Sequence, residues 1–192
     1  MTSGGKRRRP RPVPAAFFAV AAASIFFPLF AASCEVQGKE VTRLSLTGVD
    51  LATGNQGRFQ IIDADSAQSL GISSGEEIPI PDRSPEPLVI AAAAAAVLGF
   101  GVSVFTGRQQ LIGLLGLGGL ACLLALWAKA AGERSGFDHA LALIAETPGD
   151  VRPILRLTVL PAFWIGAAAQ GAATLMHLWA YLQRTRPSAN GG

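Results

Sequence analysis

Charge is missing from the four longest apolar stretches of this 192-residue chain. Val13–Ser33, Leu88–Thr106, Leu111–Ala128 and Leu157–Leu182 contain no Asp, Glu, Lys or Arg. Without a buried ion in these runs, nothing marks a transport or proton pathway through them. Cysteine is scarce too, and two residues, Cys34 and Cys122, make no disulfide framework. The only histidines are His139 and His177. They are expected on opposite sides of a bilayer, so they do not jointly ligate a haem or a transition metal. No Ser, Cys or Thr stands at a recognisable spacing from a base and an orienting acid. The chain is therefore expected to be no enzyme and to need no cofactor.

Acid is also absent from three of the five polar segments between and beyond the runs. The N-terminus, the turn at 107–110 and the C-terminus carry eight bases (Lys6, Arg7, Arg8, Arg9, Arg11, Arg108, Arg184 and Arg186) and no acid. All thirteen acids fall in 34–87, which has a balance of −5, and in 129–156, which is neutral.

Half of the residues are hydrophobic and only 15% are charged, which is a membrane-protein composition. Crossing the roughly 30 Å hydrocarbon layer takes about 20 apolar residues in a helix, and all four runs meet or approach that. The expected fold is an α-helical membrane protein with four transmembrane helices and a small extracytoplasmic β-containing cap. The segments are a basic N-terminus (1–12), helices at 13–33, 88–106, 111–128 and 157–182, exported segments at 34–87 and 129–156, a cytoplasmic turn at 107–110 and a tail at 183–192. Lys and Arg near helix ends set orientation, and the N-terminal cluster puts both ends on the cytoplasmic side of an inner membrane. Beside an apolar run that cluster orients the chain and attracts anionic lipid, and no nucleic acid is expected as a partner.

The first run has three readings. Its length from Val13 exceeds the 7–15 residues of a signal peptide's central region, which favours a retained anchor. Ala31 and Ser33 also suit a signal peptidase. Ala31-Ala32-Ser33-Cys34 resembles a bacterial lipoprotein signal, in which Cys34 carries the lipid, although that pattern prefers Leu where Ala31 stands. All three put 34–87 outside.

Within the exported segments, Thr42, Leu44 and Leu46 alternate onto one face, as do Phe59 and Ile61, so Lys39–Gly54 and Gly57–Ile62 are predicted to hold two strands. Two strands alone are marginal. Ile154–Val159 alternates likewise and is expected to join them in one sheet, with the last helix starting near Pro161. Ser135-Gly136-Phe137-Asp138 has the form of a helix-start box. It opens a short amphipathic helix through Ala145, or else a plain loop continues there. Gly71–Pro87 reads as an acidic, Pro-rich linker.

Ser33-Cys34 followed by Val41-Thr42-Arg43-Leu44-Ser45-Leu46-Thr47-Gly48-Val49-Asp50-Leu51-Ala52-Thr53-Gly54 resembles a pattern in small uncharacterised bacterial multi-pass membrane proteins. In them a cysteine precedes a strand and a Gly-hydrophobic-x-Leu-Ala-Thr-Gly stretch. The resemblance covers about a tenth of the chain and implies no activity, cofactor or substrate. Animal four-helix junction proteins share the helix count, but their paired loop cysteines and loop tryptophan are lacking.

Few residues remain as candidate sites. Asp63-Ala64-Asp65 begins like a calcium loop, but Ala67, Gln68 and Ser74 stand where an oxygen ligand, Gly and Glu belong, so it reads as a solvated turn. Gln170 is the one strongly polar side chain near the middle of a run. With Ala167, Gly171 and Thr174 beside it, it is a candidate intramembrane contact between closely packed helices. His177, near Trp179 and Tyr181, reads as an interfacial residue or a second intramembrane contact. Gly113, Gly116, Gly118 and Gly119 permit close packing and match no phosphate-binding pattern. The expected role is structural or accessory: an acidic exported segment offered to an unknown membrane or periplasmic protein. Two alternatives stand beside it, a Cys34-lipidated protein with three further helices and a small subunit of a transporter or redox complex.

Overall fold

Proline sets the first boundary. The run from Val13 winds into α1 (Pro12–Ser24) and stops short of Pro28, whose ring cannot continue a helix. In the computed structural model, which describes residues 12–36, 38–69, 84–106, 108–144 and 154–185, the chain from Pro28 is the strand β1 (Pro28–Val36). This corrects the transmembrane helix expected over Val13–Ser33. The 13 residues of α1 span about 20 Å at 1.5 Å per residue, less than the hydrocarbon layer.

β1 joins β2 (Lys39–Thr47), β3 (Arg58–Ile61) and β4 (Ile154–Val159) in one antiparallel sheet of order β3-β2-β1-β4. Ala32 stands between Leu44 and Leu157, and Leu44 in turn faces Phe59. The two polar segments thus meet in a small sheet, with β1 as a fourth, inner strand. Lys39–Gly54 is strand only as far as Thr47, where α2 (Gly48–Thr53) takes over. The Thr47 hydroxyl accepts from the Asp50 amide at 3.0 Å and the Asp50 carboxylate accepts from the Thr47 amide at 2.9 Å, a reciprocal cap. Gly54 closes α2 in the left-handed region, φ +78°. The Gly-x-x-Leu-Ala-Thr-Gly stretch is therefore a capped helix with Leu51 buried. α3 (Ala64–Ser69) follows.

Pro87 opens α4 (Pro87–Gly101), a π-helical turn continues it (Val102–Thr106), and α5 (Gln109–Ile144) returns. The π turn is stitched by Ser103 and Thr106, whose hydroxyls donate to the Gly99 and Val102 carbonyls at 2.7 and 3.0 Å. α5 runs on as one helix through 128–144, where a loop with a separate short helix was expected. Gly132 and Gly136 lower helix propensity without breaking it, and no Pro occurs between Pro87 and Pro148. α6 (Pro161–Thr185) starts at the proline, while Leu157–Val159, counted with the last apolar run, are strand. Among the described residues two helices are long and apolar enough to cross a membrane, Pro87–Thr106 and Gln110–Gly132, where four were expected. α6 has the length, but Gln170 and His177 dilute its hydropathy.

α1 and α5 each pack on both α4 and α6, closing a four-helix ring. Small residues allow this: Ala21, Ala96 and Ala169 form one buried cluster, and Phe18, fully buried, packs with Ile112 and Ala173 in another. The sheet sits on the end of the ring where α1 stops and α6 begins. Phe30 of β1 meets Phe163 of α6 with ring centroids 5.5 Å apart, and the Leu160 amide donates to the Leu29 carbonyl at 2.9 Å. Leu98, Phe105, Leu114, Leu117 and Leu175 point outward and are exposed. The basic N-terminus, the 71–83 linker and the tail beyond Thr185 lie outside the described residues.

Candidate functional site: a polar seam beneath a sheet

The sheet end carries Cys34 and most of the acids that the structure describes. Cys34 lies in the inner strand opposite Thr42 on one side and Leu155 on the other. It is a half-buried free thiol whose titration burial pushes up. Because the thiolate is the nucleophile, Cys34 is expected to alkylate with iodoacetamide at neutral pH severalfold more slowly than a free cysteine, reaching the ordinary rate only on unfolding. Mass spectrometry of the timed reaction checks this.

Five of the acids here are engaged within the chain, and Asp65 is exposed. Glu35 pairs with Arg156 at 3.6 Å, Glu40 with Arg43 at 2.6 Å, and Glu86 with Lys129. Two hydrogen bonds from the Arg43 guanidinium hold the Glu40 carboxyl below its ordinary range. Asp50 caps α2. Asp63 accepts the Ser66 hydroxyl at 2.8 Å at the start of α3, which lowers its titration as well. The Asp63–Asp65 turn is thus a helix start, and no group of three metal-ligating side chains occurs among the described residues. Glu76, Glu77 and Asp82 of the linker lie outside the described residues.

Inside the ring the polar side chains of α6 meet the glycines of α5 in register. A methyl group built on Gly119 would fall on Gln170 Oε1, one on Gly116 would come within 2.6 Å of Thr174 Oγ1, and one on Gly113 would fall on the His177 ring. Three glycines spaced by three residues and three polar residues one helical turn apart therefore form one seam. Gln170 is 2% exposed. Its Nε2 donates to the Ala92 carbonyl of α4 at 3.4 Å, and its Oε1 is buried with no hydrogen-bond donor among the described residues. Thr174 donates back to the Gln170 carbonyl at 3.0 Å. His177 lies against α5, whereas its neighbour Trp179 is exposed. The side chain of His139 lies outside the described ones.

Three features are absent from the sequence reading. Ser24 is buried where α1 meets Gly166, and donates to the Ala21 carbonyl at 2.7 Å. Ser103 is fully buried. Glu86 and Lys129, 43 residues apart, tie the start of α4 to α5. Serines inside apolar runs were the available signal for the first two.

The fold and the seam together define a sheet-capped four-helix bundle with a polar α5–α6 interface. The chain matches no protein-family model and no curated protein.

Proposed function

We propose that the chain is a non-catalytic protein of a bacterial-type inner membrane. Its bundle lies in the bilayer with both termini on the cytoplasmic side, and its sheet serves outside as a docking platform for a membrane or periplasmic protein. The observation that carries this reading is the single sheet closed by strands from both polar segments at one end of an outwardly apolar bundle. What faces a partner is then an ordered platform. Because Glu35, Glu40 and Glu86 are paired and Asp50 and Asp63 sit at helix starts, contact falls to the exposed residues of β3, Arg58 to Gln60, to the exposed Asp65 and to the linker acids.

The retained anchor is supported by packing. Phe18, Ala21, Leu29 and Phe30 of the first run are core residues, and cleavage before Cys34 would divide β1 after Ser33. Lipidation of Cys34 is the alternative, and fatty-acid labelling that survives Cys34→Ser sinks it. A transporter or redox subunit would draw on Gln170 and His177, and a Gln170→Ala chain that folds without a host phenotype leaves that role unsupported.

The topology has a direct test. Reporter domains fused after Gln110 and after Asn190 are expected to report cytoplasm, one inserted at Gly57 is expected to report the outside, and alkaline washing is expected to leave the protein in the membrane pellet. A reversed reporter, or release by the wash, overturns the proposal.

A further inference from the structure

Between the sheet and the helix ends lies a cavity of about 250 Å³. Phe30 and Leu46 of the sheet and Leu126 of α5 make its floor, and Glu86 and Lys129 stand on its rim, joined by their ion pair. Its depth in a bilayer follows from the helices. Glu86 immediately precedes one helix long enough to cross, and Lys129 lies three residues before the end of the other. The cavity therefore opens where hydrocarbon gives way to headgroups. It is smaller than the 300 Å³ or so at which drug-sized pockets begin, so it takes part of a ligand and leaves the remainder outside.

From this we infer that the cavity seats one phospholipid bearing a primary ammonium, with the upper part of one acyl chain on the apolar floor and the headgroup across the ion pair. The inference rests on the membrane reading above. Charge complementarity selects the headgroup. A purely anionic head meets Lys129 but is repelled by Glu86. A zwitterion lays its phosphate on the Lys129 ammonium and its own ammonium on the Glu86 carboxylate, completing an alternating array of four charges. Both protein charges are placed for this: the Lys129 side chain is 50% exposed and reachable, while that of Glu86 is 15% exposed and faces inward. A primary ammonium also donates hydrogen bonds to the carboxylate, which a quaternary choline cannot. Loss of these charge-assisted hydrogen bonds is expected to cost choline about tenfold or more in affinity.

The test is native mass spectrometry of the full-length protein, delipidated in detergent and titrated with dioctanoyl phosphatidylethanolamine, phosphatidylcholine and phosphatidylglycerol. One ethanolamine lipid is expected to bind about tenfold more tightly than either of the others. Glu86→Gln should remove the preference over choline, and Lys129→Gln should weaken all three. Leu126→Trp, which fills the floor, should abolish binding. Ala130→Leu, on the same wall, repeats that test with a smaller change should the tryptophan chain fail to fold. Equal binding of the three lipids, tighter binding of the glycerol lipid, or binding that survives both filling variants overturns the inference. Failure of the membrane reading registers separately, as release in the alkaline wash.

Discussion

A Gly119→Leu chain is expected to lose the closed α5–α6 pairing, the most damaging single change in the seam. A β-carbon at position 119 falls on Gln170 Oε1, and the buried amide can yield only by displacing its neighbours or crowding the void of about 10 Å³ that it lines with Ser24 and Ala92. Overpacking of this kind costs about 1–3 kcal/mol. Displacing Gln170 also breaks its bond to the Ala92 carbonyl and strands a polar group, at about 1–3 kcal/mol more. Together these approach the whole stability of a marginal domain. The measurement is thermal unfolding in detergent, followed by tryptophan fluorescence. Gly118→Ala, one residue away, supplies the control, since a methyl group there meets nothing within 4 Å and alanine is the better helix former by about 1 kcal/mol. It should be neutral or stabilising. The milder Gly119→Ala should be rescued by Gln170→Ala, which vacates the space. If Gly118→Ala and Gly119→Ala unfold alike, the glycines do not seat the polar side chains of α6.

This pairing was half legible. The glycines and Gln170 each stand out in an apolar run, and close packing follows from the residue types alone. Which glycine faces which polar residue depends on how α5 and α6 are offset, and neither helix encodes that by itself. The sheet divides in the same way. β2, β3 and β4 alternate apolar and polar residues along the chain, and that period of two is visible in the sequence. β1 lies between two neighbours and has Leu29, Phe30 and Ala31 buried in succession, so it reads as a continuous apolar run and passes for helix. Pro28 was the contrary signal. At the other end of the molecule, α5 hides its length. Past Ala128 its composition turns polar, which reads as a change of structure although the helix continues to Ile144. The Ser135 box is a start signal inside a helix that was already under way.

The second large effect is expected at Phe18, and it decides what the first run is. Phe18 is fully buried, with its ring against Gly99 of α4 and its neighbours Ile112 on α5 and Ala173 on α6. It thus joins all three of the other helices to α1. Phe18→Ala leaves a cavity at that junction and should cost about 3–5 kcal/mol, a loss read as a lowered unfolding midpoint of the purified protein. The result separates the retained anchor from both cleaved readings, because residue 18 would not be present in a chain beginning at or near Cys34. If the first run is removed, the purified Phe18→Ala and parent proteins are identical in mass and unfold together. If it is retained, the two differ in mass by the lost ring and in midpoint by the lost packing. Phe17→Ala beside it gives the internal comparison, since Phe17 is only partly buried and should cost less. A Phe18→Ala chain that keeps its full length and unfolds with the parent would show that α1 is no part of the stable bundle, and the four-helix ring would fall with it.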